Sequence, residues 1–382
     1  MCVLAACDRG YVPPCHVSER GVLLETAPAT LGAEPILLLG EDAVYARWPE
    51  IVDGVRVSHT SVFGLDGALR AHAALAAGPF DLPSDGAFLG DGEARVSVVR
   101  KEIELPEQTV PAPDGGTITF RPRAVQDRLQ LERYDLTGAP PIVTPLPLVA
   151  CEQCFVSALG VRAIGGALLV LWQVSGGDTM AIARVDLEGH VLATRSFGVP
   201  SFAAIALQRF RTNAQNDLAL LPAARPGGAI SLLLLDPQLA EIGEGFGAAS
   251  FVAWDVASDR LIEAARDGEG DLRARIVSLF GPLSGGDSKA QRLSTDFAPL
   301  HAATTKNLSA IVGGADRAIW FIPIDSQGRK IGADLMIDDA SNGAASLFGT
   351  IGPGALVADG ARAFVYFRAL GGVVERVRVE CR

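Results

Sequence analysis

Lysine is scarce in this chain: Lys101, Lys289, Lys306 and Lys330 are the only four among 33 basic residues, set against 44 acidic ones. The resulting net charge of −11 argues against a nucleic-acid partner, because a polyphosphate backbone would be repelled rather than neutralised. Charged residues make up 20% and aromatics 6%. The five histidines (His16, His59, His72, His190, His301) are scattered without ligand spacing. No Gly-x-Ser-x-Gly occurs, and no Ser or Cys stands beside a His in a nucleophile setting. No run reaches the roughly 18 uninterrupted apolar residues of a spanning helix. Stretches with helical period are few. The best, Leu65 to Ala77, competes with a strand reading. On these grounds no catalytic residue, metal ligand or cofactor is expected.

Apolar residues reach 49%, with 42 Gly and 23 Pro, which suits a large core crossed by many tight turns. A unit of apolar strand, Asp, one or two residues, Gly and a second strand recurs. It appears as Phe63-Gly-Leu-Asp-Gly67, Tyr134-Asp-Leu-Thr-Gly138, Val185-Asp-Leu-Glu-Gly189 and Ile324-Asp-Ser-Gln-Gly328, with a Gly-less copy at Leu235-Asp-Pro-Gln-Leu239. From Asp66 the steps are 69 residues to Asp135, 51 to Asp186, 50 to Asp236 and 89 to Asp325. The last step holds two shorter units, with a degenerate copy at Ser278-Leu-Phe-Gly281. A strand-built period of roughly 40–50 residues marks repeated blades.

On that repeat the chain resembles the seven-bladed β-propeller superfamily and, more narrowly, exported or lipoprotein propellers of GC-rich bacteria. It lacks the Trp-Asp ends of one propeller group and the Gly-rich, Trp-bearing signature of quinone-dependent propellers. The resemblance implies a central channel and ligand use of one ring face. The expected fold is all-β, a seven-bladed propeller of four-stranded antiparallel blades. These start at Pro35, Ala87, Val156, Ala203, Phe251, Ala302 and Ser346. The seventh is one strand short, and Gly21–Thr26 has the composition to fill the gap beside Val373–Val379. That pairing would close the ring and bring Cys15 to Cys381, the two disulfide partners at the ends of the folded region. Residues 1–20 are then a truncated leader and tether, and 21–382 a single domain.

The start, Met1-Cys-Val-Leu-Ala-Ala-Cys7, resembles the end of a bacterial lipoprotein signal, which implies lipidation of Cys7. Six residues precede Cys7, fewer than the charged n-region and roughly 7–15 apolar residues of a working signal, which leaves an upstream start or a chance match. An exported, envelope address follows, with membrane contact only through that lipid. Cys151-Glu-Gln-Cys154 lacks the further ligands of a zinc site and the helix-opening setting of a redox pair, so it reads as a small structural disulfide.

Other motifs have plain readings. Asp267-Gly-Glu-Gly-Asp271 lacks the later Gly and Glu of a calcium loop and reads as a solvated turn. The recurring Asp residues read as acceptors of turn amides rather than a ligand array. The one irregular stretch lies between Val99 and Leu129, with Glu102, Glu104 and Glu107, Pro106, Pro111 and Pro113, and Thr117–Phe120, which is expected to pair with Lys101–Leu105. Long insertions concentrate function, so Glu102, Glu104, Glu107, Thr117 and Phe120 are the candidate partner-binding residues. The leading functional reading is a non-enzymatic, monomeric scaffold for a protein or small ligand. The alternative is a hydrolase or lyase whose carboxylates converge from several blades at the channel mouth.

Overall fold

The structure is a computed structural model and describes residues 15–25, 36–39, 43–52, 55–76, 84–89, 92–113, 115–135, 139–149, 155–175, 179–198, 210–212, 217–224, 230–244, 252–257, 260–266, 271–278, 291–294, 298–305, 308–315, 318–325, 328–339, 354–370 and 372–382. Among the described residues there is no helix, and all strand pairs are antiparallel. The expected helix-or-strand segment at Leu65 is resolved as a turn followed by a strand.

Strand β1 (Cys15–Glu25) makes no pair with its sequence neighbour. Strands β2 (Ile36–Leu39), β3 (Ala43–Val52), β4 (Val55–Gly64) and β5 (Leu69–Ala76) form a sheet in chain order. Next come β6 (Ser84–Leu89) and β7 (Gly92–Glu104), then β8 (Gln108–Pro111) and β9 (Thr117–Phe120), which pair only with each other. Strands β10 (Arg123–Asp135) and β11 (Ile142–Leu146) complete the sheet β11-β10-β7-β6. Then β12 (Val156–Ile164), β13 (Ala167–Val174), β14 (Thr179–Val185) and β15 (Val191–Gly198) run in order. A single pair, Gly198 with Ala224, joins them to β16 (Arg211–Thr212), β17 (Ala219–Ala224), β18 (Ile230–Leu235) and β19 (Glu241–Glu244). Strands β20 (Val252–Ala257), β21 (Arg260–Arg266), β22 (Leu272–Ser278) and β23 (Gln291–Ser294) form another sheet. So do β24 (Ala298–Thr304), β25 (Leu308–Ala315), β26 (Ala318–Asp325) and β27 (Leu335–Asp339). The last sheet is β28 (Gly354–Ala358), β29 (Ala363–Leu370), β30 (Val373–Cys381) and, outermost, β1.

Position in a sheet is written in the side chains. The second strand Ala167-Leu-Leu-Val-Leu-Trp172 is buried residue after residue, as a strand covered on both faces must be. The fourth strand β15 alternates exposed and half-buried residues over Val191–Ser196, the pattern of one wet face. Burying each Leu or Val contributes roughly 1.5–3 kcal/mol, so the middle strands dominate the cores.

The chain divides into two compact units, residues 1–71 with 249–382, and residues 72–248. In the first, the leading strands β20, β24, β28 and β2 lie next to one another in succession. Its cores include Phe321, Phe364 and Tyr366 between two sheets, and Val44, Phe63, Val365 and Phe367 between two others. In the second unit β6 neighbours β12, and β12 neighbours β16. Its cores centre on Val96, Leu131, Val161 and Val170, and on Leu171, Ile182, Phe210 and Leu233. The same device ties leading strands in each unit. Asp85 accepts the Val161 amide at 2.8 Å, and Asp255 accepts the Thr304 amide at 2.7 Å.

The terminal seam forms as expected but starts earlier. Strand β1 begins at Cys15, within the stretch 1–20 assigned to leader and tether, and pairs with β30 from Cys15↔Cys381 to Glu25↔Val373. The Cys15–Cys381 disulfide is formed, with Cα atoms 4.0 Å apart. Arg376, 7% exposed, donates to the Leu65 carbonyl at 2.6 Å and to Glu19 at 2.7 Å. That hydrogen bond and charge hold the Glu19 carboxyl below its ordinary value. Gly67, at φ +87°, is required here: a Cβ would lie 3.1 Å from both the Arg376 and Leu23 side chains.

The Asp turns have the expected chemistry, with one correction of register. Asp186 accepts the amides of Glu188 and His190, Asp236 those of Gln238 and Ala240, and Asp325 that of Arg329. Asp66 is out of step. Its turn runs Gly64 to Ala68, with the hydrogen bonds that Asp186 to His190 make elsewhere, so Asp66 occupies the place of Glu188 and accepts the Ala68 amide. In the Gly-less copy Leu239 takes the left-handed conformation, φ +64°, where the others have Gly. Its side chain is 3% exposed, and that burial offsets the backbone strain.

Candidate functional site

The irregular stretch is not a loop, and Thr117–Phe120 does not pair with Lys101–Leu105. Strands β7 and β10 pair without interruption from Gly92↔Asp135 to Glu104↔Arg123, so Lys101–Glu104 is already engaged. Thr117–Phe120 pairs instead with Gln108–Pro111. The physical reason is the reversal closed between Ala112 and Gly116. Gly115 takes φ +86°, the Gly115 amide donates to the Ala112 carbonyl, and the Ala112 amide donates to Gly116. The x-Pro-Asp-Gly-x signal was present in the sequence and would have named the partner strand.

One ribbon therefore rises from the sheet, with β7 and β10 as its stem and β8 and β9 as its head. At the neck the Leu105 amide donates to Pro122, and Gln108 faces Phe120. Pro106 and Glu107 thus stand against Arg121 alone, a bulge that re-aims the head. Every described residue of β8 and β9 is exposed. Directly opposed side chains share a face. Val110 and Ile118 lie on one side with Gln108 and Phe120, while Thr109 and Thr119 meet on the other with hydroxyls 3.1 Å apart.

The candidate residues fall along this ribbon. Glu102 lies 3.6 Å from Arg123 on the stem, and Glu107 lies 3.5 Å from Arg121 at the neck. Glu104 and Glu107, with Leu105, Pro106 and Arg121, line an open hollow of about 400 Å³. Thr117 and Phe120 belong to the head. The sequence reading missed Val110, Ile118, Arg121 and Arg123. Residues 100–123 carry four basic and four acidic side chains, so the ribbon is neutral in a chain of −11. Cys7, Cys151, Cys154 and the turn at Asp267–Gly270 lie outside the described residues.

Two buried polar groups lie within the sheets. On β7 and β10, Glu93 accepts from Arg95 at 3.2–3.3 Å, and Arg95 lies over the Tyr134 ring. Ser97, Gln130 and Tyr134 all donate to Glu132. Burial pushes the Glu132 carboxyl up, but those hydrogen bonds outweigh it and hold the carboxyl below its ordinary value. The network is satisfied from within, which suits packing rather than turnover. Beside it, Asp127, fully buried, is held by Arg100 at 2.8 Å and by the Val156 amide at 2.9 Å. The second group joins β24, β28 and β29. The Tyr366 hydroxyl is buried with no hydrogen-bond partner among the described residues, and burial raises its pKa. A Cβ at Gly354 would lie 2.8 Å from that hydroxyl and 2.9 Å from His301 Nε2, so the glycine permits the close approach. Among the described residues no group of three or more His, Cys, Asp or Glu could hold a metal.

No protein-family model matches the chain, and no curated protein matches it in sequence. Solved structures do. The chain is similar over 96% of its length to the WD40 domain of Toxoplasma gondii coronin, covering 86% of that chain at 12% identity with a TM-score of 0.50. The fold is that of a β-propeller. Hsv2 of Kluyveromyces lactis gives a TM-score of 0.47 at 11% identity, with 88% of this chain and 90% of that one covered. A structure from a study of two prolyl endopeptidases gives 0.47 at 12% identity, with 92% of this chain covered but 48% of that one. At such identities the likeness of this propeller to its neighbours concerns fold alone.

Proposed function

We propose that the chain is a non-enzymatic binding scaffold of the bacterial envelope, exported or tethered through a lipid on Cys7. In this reading it is a single ring of seven four-stranded blades, closed by β1 in the last of them. Supporting the ring are the successive leading strands β20, β24, β28 and β2 in one unit and β6, β12 and β16 in the other. The covalently locked pair of β1 and β30 supports the closure. The observation that carries the binding role is the ribbon. A neutral arm with Val110, Ile118 and Phe120 exposed on one face buries little of its own surface, and such a surface is characteristic of contact with another molecule.

The test is photo-crosslinking in intact source cells, with a photoreactive residue replacing either Phe120 or Leu192. Leu192 is 50% exposed on β15 and serves as a control. An adduct at position 120 and none at 192 supports the reading. Equal labelling, or none at 120, overturns it.

A further inference from the structure

The head of the ribbon has two edges, and they are not equivalent. In an antiparallel pair, opposed residues alternate between exchanging backbone hydrogen bonds and directing their N–H and C=O groups outward. The Ala112–Gly116 bond fixes the phase, so Thr109 and Pro111 face outward on β8, and Thr117 and Thr119 on β9. Pro111 has no N–H to offer, and proline is a common means of blunting an edge. Strand β9 has no such guard, nor any charge from Gly116 to Phe120.

We propose that β9 pairs antiparallel with β9 of a second copy of this chain, a deepening that rests on the ribbon being a contact surface. The two outward residues dictate the register. Thr117 must exchange bonds with Thr119 of the second copy, and Thr119 with its Thr117, which sets Ile118 directly against its own counterpart on the twofold axis. The neighbouring pair on the same face is then Gly116 against Phe120, and the missing side chain leaves room for the ring, as aromatic cross-strand partners of edge glycines do. The resulting four-stranded sheet joins the Val110, Ile118 and Phe120 faces of both copies. The charge balance favours this occupant: two bodies of −11 approach with least repulsion through a segment that is itself neutral. The pairing replaces the monomer expected from the sequence with a dimer. It is a weak one, because a single strand edge falls below the area of a standard stable interface.

Cysteine trapping of the purified full chain tests this register. In such a pair the Cα atoms of Ile118 and its counterpart are about 4.5 Å apart, within the range a disulfide spans. Under mild oxidation Ile118→Cys is expected to yield a disulfide-linked dimer, while Val110→Cys, also exposed (39% against 50% for Ile118) but on β8, remains monomeric, as does the wild type. Adding Thr119→Pro to Ile118→Cys is expected to abolish trapping. Equal trapping at 118 and 110, or none at 118, overturns the self-pairing. If none is trapped at 118 while the cellular crosslink at 120 yields an adduct with a different protein, self-pairing fails and the scaffold reading stands. If both are absent, both fall.

Discussion

Strands β1 and β9 are both exposed edges, with Val22 at 52% and Ile118 at 50% exposure, yet they are held in opposite ways. Strand β1 pairs along its length with β30, whose other side is covered by β29. It is also cross-linked at one end and tied in the middle through Glu19 and Arg376. Strand β9 has one partner as exposed as itself, and an isolated two-stranded hairpin is marginal in water. The same secondary structure is a seam in one place and an unspent surface in the other. What separates them is the number of independent ties beyond the ladder.

The largest expected effect comes from removing the covalent tie. The disulfide closes a loop of 366 residues and on the chain-entropy account contributes nominally about 6 kcal/mol. A Cys15→Ser/Cys381→Ser protein, compared with the oxidised wild type in urea, is expected to unfold at a clearly lower midpoint. Equal midpoints would show that pairing and Arg376 alone hold the seam, which would erase much of its distinction from the ribbon.

A smaller effect sharpens the same point, that burial outranks local preference. Leu239→Gly relieves a left-handed leucine, worth roughly 1–2 kcal/mol, but removes a side chain whose burial contributes about 1.5–3 kcal/mol. The expected result is a net loss of about 1 kcal/mol by thermal or urea unfolding. A gain in stability would mean that the conformation at φ +64° costs more than the core around Leu221 and Leu235 returns.

That balance also explains what the sequence could and could not disclose. The third expected blade was legible at its start: a strand forms at Val156–Ile164, where the blade was expected to begin, and strands at Ala167–Val174, Thr179–Val185 and Val191–Gly198 follow it. Strong apolar runs between Gly-bearing turns leave few alternatives. The Cys15–Cys381 link was legible because a missing strand and two terminal cysteines pointed to one place. The ribbon was misread because its residues are neither apolar enough to signal a core nor periodic enough to signal a strand, and prolines obscured its pairing. Asp66 was aligned by residue type when hydrogen bonding places it two residues later in its turn. Glu93 and Arg95 were not noticed, because a buried ion pair inside a strand looks like the alternation of a wet face.

The smallest expected effect tests the other side of the comparison. Replacing residues 106–121 by a two-residue Asn-Gly turn removes the head and neck while leaving the stem from Gly92↔Asp135 to Glu104↔Arg123 intact. None of the removed residues belongs to the cores that hold the unit together. The unfolding free energy is therefore expected to change by no more than about 0.5 kcal/mol, the range of surface changes that touch no packed group. Far-UV spectra and urea unfolding of the truncated and full chains provide the check. A loss of several kcal/mol would mean that the ribbon supports the body and is a structural element like the seam. An unchanged stability means that selection for stability does not explain its exposed head, and the retention of these residues must be sought in what they touch.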